Sequence, residues 1–104
     1  MEGTVFKICD REAWQAAEKA GVYHGNADDR RDGFIHLSAE HQVTGTLEKH
    51  FTGRADLLLV AIDTGALGSA LRWEPSRGGE LFPHLYGALP LSAVRHVTAI
   101  GTEP

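Results

Sequence analysis

The chain has 104 residues, of which 42% are apolar and 23% are charged, and this balance is typical of a folded globular protein. That length predicts a single domain over residues 1–104, whose core needs no metal or disulfide. A formal charge of −4 offers no basic surface for a phosphate backbone, so nucleic acid is not an expected partner. The one cysteine argues against a disulfide-built secreted scaffold.

Targeting and membrane signals are not found along the sequence. No apolar run approaches the roughly 20 residues that cross a bilayer, and the first residues lack the basic-then-apolar order of a signal peptide. We therefore expect no membrane partner and a cytoplasmic location.

The first third of the chain predicts a strand followed by a helix. After a loose end at residues 1–3, residues 4–9 alternate in polarity as a half-buried strand does. Asp10 is placed to cap a helix over residues 11–20 through its carboxylate. Residues 22–32 are polar and predict a surface loop.

The middle of the chain predicts a second strand and helix, and then the centre of the sheet. Residues 33–37 form the strand, and Ser38 caps the helix that follows. The inward face of that helix is Val43, Leu47, His50 and Phe51. Residues 57–62 are continuously apolar and predict a central strand buried on both faces.

The last third predicts mainly strands. The segments are, in order, a turn at 63–68, a short strand at 71–74, an extended or irregular stretch at 80–86, a helical turn at 89–94 and a closing strand at 94–100. Pro83 argues against a central ladder position, and the aromatic residue before it favours a cis peptide and a turn. The element order predicts an α+β fold with a mixed sheet and two main helices.

Two histidines lie inside apolar runs, where an imidazole must find a partner or line a cavity. In the run Gly33–Ser38, alternation places His36 on the same face as Phe34 and Ser38. The alternatives for His36 are a site residue or a half-buried histidine bonded to a backbone carbonyl.

The second run, Gly79–Gly87, contains more polar and aromatic side chains that could contact a ligand. Alternation from Glu80 places Phe82, His84 and Tyr86 on one face. A carboxylate, an imidazole and a phenol beside an aromatic ring suit a polar ligand with a planar group. The alternative is an irregular surface segment that only turns the chain.

The segment Arg72–Glu74 holds further candidates for ligand contact. Trp73 either stacks on a ligand ring or belongs to the core, and Arg72 or Glu74 would contact phosphate or hydroxyl groups. Lys7 in the first strand is expected to be solvated at its tip. No metal site is predicted, because no two histidines are four residues apart on a predicted helix and there is no second cysteine.

Several of these segments together resemble a known family. They are the opening strand with its tryptophan helix, Gly33–Ser38, the apolar run ending at Ile62–Asp63, Leu71–Glu74 and Glu80–Gly87. Over nearly the whole chain they look like a bacterial family known as domain of unknown function nine hundred and fifty-two. The resemblance implies a fold like that of the ADP-ribosyltransferases, a split β-sheet with a cleft that holds NAD in the enzymes of that superfamily.

The resemblance also implies roles for individual residues. Lys7 stands where those enzymes use a histidine or arginine to hold the dinucleotide, and it lacks the guanidinium fork. Ser38, Arg72, Trp73 and Tyr86 would complete the cofactor-binding set. Glu80 would be the late glutamate that stabilises the cationic sugar as nicotinamide leaves, with His36 and His84 as the other catalytic residues.

Two main functions follow from these observations. The first is a binding protein that holds a small polar or nucleotide-like ligand, as a degenerate relative of the ADP-ribosyltransferases. The second is an active enzyme that cleaves NAD or transfers its ADP-ribose. A third, purely structural role would involve no ligand. Fold alone does not decide between them, and the sequence carries no sign of oligomeric state.

Overall fold

The strands form three antiparallel sheets, not the mixed sheet that the sequence predicted. The computed structural model describes residues 3–100, apart from the side chain of residue 77, so part of the predicted N-terminal loose end lies outside the described residues. The helices are α1 (Arg11–Ala20), α2 (Ala27–Asp32) and α3 (Val43–His50). The strands are β1 (Thr4–Asp10), β2 (Val22–Tyr23), β3 (Ile35–His36), β4 (Leu57–Asp63), β5 (Leu71–Pro75), β6 (Leu81–Leu85), β7 (Leu89–Pro90) and β8 (Val94–Ile100).

The largest continuous apolar run is a central strand, as predicted. β4 pairs with β1 on one side and with β8 on the other. Alternate residues of β1 and β4 point into one core, where they meet Trp14 of α1 and Tyr23 of β2. The core members from the two strands are Val5, Cys9, Leu58, Val60 and Ile62.

The second sheet places Pro83 in a central strand, which the sequence analysis had argued against. The strand order is β3, β6, β5. β3 is two residues long, and just beyond it the Leu37 N–H donates to the Pro83 carbonyl at 3.0 Å. The Pro83 carbonyl thus takes part in the ladder, whereas proline has no N–H to donate in return, and this occurs just past the last residue of the short strand β3. The predicted cis peptide is wrong, since the described residues contain no cis peptide.

Residues 22–32 are not a loop. They hold β2, which pairs with β7, and the helix α2. Asn26 begins α2 with a capping box: its Oδ1 accepts from the Asp29 N–H at 2.9 Å, and Asp29 Oδ2 accepts from the Asn26 N–H at 2.9 Å. This short polar helix brings a carboxylate into the interior, because Asp29 is only 2% exposed.

Two predicted caps have different partners. α1 starts after Asp10 as predicted, but the Asp10 carboxylate makes no cap hydrogen bond and pairs with Arg54. Ser38 does not cap a helix either, because the next helical turn starts after Ala39. The Ser38 hydroxyl lies 3.1 Å from that of Thr46 on α3. Ser38 thereby ties the end of β3 to that helix.

The remaining C-terminal segments are close to the predictions. Single-turn 3-10 helices lie at Glu40–Gln42, Thr64–Ala66, Gly68–Ala70, Arg77–Gly79 and Leu91–Ala93. The predicted helical turn at 89–94 is therefore β7 followed by one such turn, and the strands predicted at 71–74 and 94–100 are β5 and β8. The predicted extended stretch at 80–86 contains β6.

Candidate functional site

A cavity of about 280 Å³ lies where β1, α2, β3, α3 and β6 meet. Its polar wall includes Lys7, Asp29, Asp32, His36, Ser38 and His84. Its apolar wall includes Phe6, Phe51 and Phe82. The cavity therefore combines ionisable groups with aromatic surface, as small-molecule sites do.

Asp29 organises the polar wall. Its Oδ1 accepts from His36 Nδ1 at 2.6 Å and from the His36 N–H at 3.0 Å, and its Oδ2 accepts from Lys7 Nζ at 2.9 Å. Burial alone would raise the pKa of Asp29, but the hydrogen bonds from His36 and the charge of Lys7 lower it to about 2. Asp29 is thus an ionised carboxylate held in the interior by specific donors.

Lys7 is buried, so the prediction of a solvated tip is wrong. It is 4% exposed and lies on the same side of β1 as Val5 and Cys9, which belong to the core. Its ammonium donates to Asp29 and, at 3.0 Å, to the His36 carbonyl. The sequence pattern predicts no partner for a buried lysine, because the polar residues 22–32 place Asp29 on a surface loop.

His36 is held between two carboxylates. Its Nδ1 lies 2.6 Å from Asp29 Oδ1, and its Nε2 lies 3.0 Å from Asp32 Oδ2. Each ring nitrogen of His36 therefore has a carboxylate of α2 or its C-terminal end beside it. The pKa of Asp32 is lowered, mainly by the hydrogen bond from Arg31 and also by His36.

His84 faces His36 across the sheet. The two residues are register partners on β3 and β6, and their ring centroids are 5.7 Å apart. His84 Nδ1 lies 2.7 Å from Glu74 Oε1, which also accepts from the Tyr86 hydroxyl at 2.8 Å. These two hydrogen bonds, that from His84 first, lower the pKa of Glu74, while the same carboxylate raises the pKa of Tyr86.

Phe34 packs the two histidines together. Its ring stacks on His84 with centroids 4.0 Å apart and planes 23° apart, and it also contacts His36 and Tyr86. Of the predicted site residues, His36, Ser38 and His84 line the cavity, whereas Tyr86 lies outside its wall and contacts Phe34 and Glu74. Their functional roles remain predictions.

Three other predicted site residues lie elsewhere. Glu80 is outside the cavity wall, and its carboxylate lies 2.8 Å from Nε2 of the exposed His41. Trp73 is 46% exposed, so it is neither a core residue nor a wall of the cavity. Arg72 is outside the cavity wall and lies over the Tyr86 ring, with its guanidinium carbon 4.7 Å from the centroid.

Sequence reasoning missed Asp29, and it considered Glu74 as a contact to a ligand and not as the partner of His84. Asn26 and Asp29 have the spacing of a capping box, which would have turned the predicted loop into a helix. Glu74 is two residues from Arg72 on a predicted strand, and this spacing puts the two side chains on one face. Neither pattern reveals that the carboxylate meets a histidine.

Two structural findings bear on ligands and location. Within residues 3–100, no three His, Cys, Asp or Glu side chains converge in a way that would hold a metal ion. None of the helices in this part of the chain has the length and apolar character that spanning a bilayer requires.

Comparison with known proteins identifies the family. Residues 8–97 match the model of a family described as "Protein of unknown function (DUF952)". The chain belongs to the DUF952 family. Among proteins with curated functions, none matched it.

Solved structures of one other protein are similar over most of this chain. The crystal structure of protein CC0527 from Caulobacter crescentus is 44% identical, with a TM-score of 0.92 over 96% of this chain and 88% of that one. The solution NMR structure of the same protein is 44% identical, with a TM-score of 0.86 over 96% and 86% of the two chains.

Proposed function

We propose that the cavity binds a small, electrically neutral polar molecule that carries a planar group. The observation that supports this most directly is His84, which lines the cavity although it is 5% exposed. Glu74 occupies its Nδ1, and its Nε2 has no hydrogen-bond partner among the described residues. A ring nitrogen that lines a cavity and has no partner in the protein is free to bond to a molecule held there.

The charges of the wall favour a neutral molecule. The described wall contains three aspartates, Asp28, Asp29 and Asp32, and each is within 3.1 Å of a basic group. The lysine and arginine among these wall residues, Lys7 and Arg31, are both engaged in those pairs. An anionic ligand would have to displace a carboxylate to gain a cationic partner, which costs free energy.

The size and the aromatic surface favour one ring system with a few substituents. A volume of about 280 Å³ is just below the roughly 300–1,000 Å³ of small-molecule pockets. Phe6, Phe51 and Phe82 offer faces and edges against which a planar group packs favourably. A nucleoside fits this description better than a dinucleotide.

NAD cleavage is the weaker candidate. The glutamate assigned to that reaction, Glu80, lies outside the cavity wall and pairs with His41, so it is not placed to stabilise a cationic sugar bound there. The ADP-ribosyltransferase-like fold stays a prediction that follows from the family resemblance.

Ligand-induced stabilisation tests the proposal. The probes are adenosine, uridine and nicotinamide, together with AMP, UMP, nicotinate and NAD as their charged counterparts. We expect at least one neutral probe to raise Tm more than its charged counterpart does. The rise should be lost in His84→Ala and kept in His41→Ala, whose imidazole lies outside the cavity wall.

Two results would overturn the proposal: no probe changes Tm, or the change survives in His84→Ala. Nicotinamide release from NAD that disappears in Glu80→Gln would support the enzymatic alternative instead. That assay uses the same protein samples, so both functions are tested under the same conditions.

A further inference from the structure

We infer that Glu74 and His84 form an acid–base pair, in which His84 Nε2 accepts a proton from a hydroxyl group of the molecule in the cavity or from a water molecule beside it. Glu74 is the positioning residue of this pair. The inference rests on the proposed function for its substrate class, neutral molecules with a hydroxyl group. It goes further in assigning a chemical step to one nitrogen atom.

The hydrogen bond to Glu74 selects the tautomer of His84. Glu74 Oε1 lies 2.7 Å from His84 Nδ1, and an ionised carboxylate only accepts hydrogen bonds. The proton of the neutral ring therefore lies on Nδ1, and Nε2 carries the lone pair. A histidine oriented by a carboxylate in this way acts as a general base in several unrelated enzymes.

Both members of the pair are held in place. The Tyr86 hydroxyl donates to the same Glu74 oxygen at 2.8 Å, which fixes the carboxylate. Phe34 stacks on the His84 ring at 4.0 Å, which limits its rotation. Because Glu74 and His84 lie on neighbouring strands β5 and β6, their separation does not depend on a loop.

His84 Nε2 is accessible from the cavity. His84 Nε2 has no hydrogen-bond partner in the part of the chain that the structure describes. It is nevertheless not a fully inaccessible atom, because among these residues only Trp14 Nε1 is both inaccessible and without a partner. Since His84 is otherwise buried and lines the cavity, the cavity is the space that this nitrogen meets.

His36 is not available for the same role. Its Nδ1 is hydrogen-bonded to Asp29 at 2.6 Å and its Nε2 lies 3.0 Å from Asp32, so both nitrogens are next to protein carboxylates. The two histidines, which the sequence pattern does not distinguish, therefore differ in the structure. Both nitrogens of His36 face carboxylates of the protein, whereas His84 has one nitrogen without a protein partner.

The proton transfer is balanced within this arrangement. The O–H bond of the ligand or water breaks, its electron pair stays on oxygen, and a new N–H bond forms at His84 Nε2. The resulting imidazolium is stabilised by the Glu74 carboxylate, which stays ionised throughout. The lowered pKa of Glu74, caused first by the hydrogen bond from His84, agrees with that assignment.

The first test reads the tautomer without any ligand, by ¹⁵N NMR of the histidine side chains. We expect His84 in its neutral form to show a protonated Nδ1 and an unprotonated Nε2. In Glu74→Gln and, to a smaller extent, in Tyr86→Phe, the signal should shift towards an Nε2–H ring. Glu80→Gln removes a carboxylate that pairs with a different histidine and should leave the His84 signal unchanged.

The second test measures the reactivity of Nε2 with p-nitrophenyl acetate, a neutral aryl ester. The Nε2 lone pair attacks the carbonyl carbon, the bond to p-nitrophenolate breaks, and water later removes the acetyl group from the ring. We expect p-nitrophenolate release to fall at least tenfold in Glu74→Gln, an order-of-magnitude expectation for loss of an activating partner. His84→Ala should give only the background of the other histidines, whereas His41→Ala should retain the wild-type rate above that background.

An Nε2–H ring in the wild-type protein, or a tautomer and rate unchanged in Glu74→Gln, would overturn the acid–base assignment. These readouts are separate from the Tm screen. If no probe raises Tm but the Nδ1–H tautomer is present and depends on Glu74, the ligand proposal fails and the assignment of the pair stands. If a probe binds and the ring is Nε2–H, the reverse holds.

Discussion

Lys7 Nζ donates a 2.9 Å hydrogen bond to Asp29 Oδ2 between side chains that are 5% and 1% exposed. The pair connects β1 with α2, and Asp29 in turn holds His36. A buried ion pair adds little net stability compared with apolar residues of the same shape, but removing one partner leaves an uncompensated charge. The cavity wall therefore depends on both members.

Asp29→Asn should lower the free energy of unfolding by about 3–5 kcal/mol, because Lys7 and His36 lose their common carboxylate. Urea unfolding followed by circular dichroism measures the change. The matched control is Asp28→Asn on the same helix, whose side chain is exposed and should change stability by less than about 0.5 kcal/mol. Equal effects in the two variants would contradict the role of Asp29.

Asp29 should also contribute to acid sensitivity. Its pKa is lowered from 3.8 to about 2 on folding, so its stabilising contribution is complete above pH 4 and is lost as the pH falls towards 2. The difference corresponds to about 2 kcal/mol. Unfolding free energies measured between pH 5 and 2 should show this loss in the wild type, and Asp29→Asn should show a smaller decline over the same range.

Gly25→Ala should destabilise the protein more than Gly33→Ala. Both glycines have positive φ, +99° and +86°, so both variants carry backbone strain of about 1–2 kcal/mol. A Cβ at Gly25 would lie 2.7 Å from Asp29 Cβ, whereas one at Gly33 meets nothing within 4 Å. The extra overlap should make Gly25→Ala about 1–3 kcal/mol more destabilising than Gly33→Ala. The free energies of unfolding of the two variants, measured in urea, give this difference. A smaller effect at Gly25 than at Gly33 would show that Asp29 has room to move.

Alkaline pH should destabilise the fold through Tyr23. Burial, with further effects from Cys9, raises the pKa of Tyr23 well above its ordinary value of 10. Because the folded pKa is the higher one, the contribution is complete below pH 10 and is lost as the unfolded chain ionises above it. Tyr23→Phe should flatten the fall in unfolding free energy between pH 10 and 11. The same steep fall in that variant would mean that another group is responsible.

The thiol of Cys9 should be unreactive in the folded protein. Cys9 is 3% exposed, and burial raises its pKa, so thiolate is scarce and shielded. With Ellman's reagent at pH 8 we expect the Cys9 thiol of the folded protein to react only as fast as the protein unfolds locally or globally. In urea the same thiol should react rapidly. Stoichiometric reaction within seconds under native conditions would contradict the described packing.

Sequence patterns predicted the parts of this fold that depend on local periodicity. The run 57–62 became the central strand β4 because continuous apolar residues suit a strand covered on both faces. The alternation predicted that Phe34, His36 and Ser38 share a face, and in the structure His36 and Ser38 line the cavity while the Phe34 ring contacts that of His36. Side-chain direction follows from strand geometry alone.

The errors concern polar residues whose partners are distant in sequence. Lys7 and Asp29 are 22 positions apart, and a polar segment reads as a loop unless that partner is known. Glu80 is four positions from His84 and Glu74 is ten positions from it, but the register of β5 and β6 brings Glu74 to His84, and Glu80 pairs with His41. Pairings of this kind are tertiary properties, and hydrophobic periodicity does not contain them.

The length of α2 has a consequence for the order in which the molecule opens. A helix of six residues is too short to be stable by itself in water. Its stability therefore depends on the hydrogen bonds from Lys7 and His36 to the buried Asp29 carboxylate. Amide hydrogens of α2 should then exchange with solvent well before those of β4. Local unfolding of α2 would remove one wall of the cavity while the central sheet stays folded. A molecule bound in the cavity should therefore slow amide hydrogen exchange in α2 before it does so elsewhere.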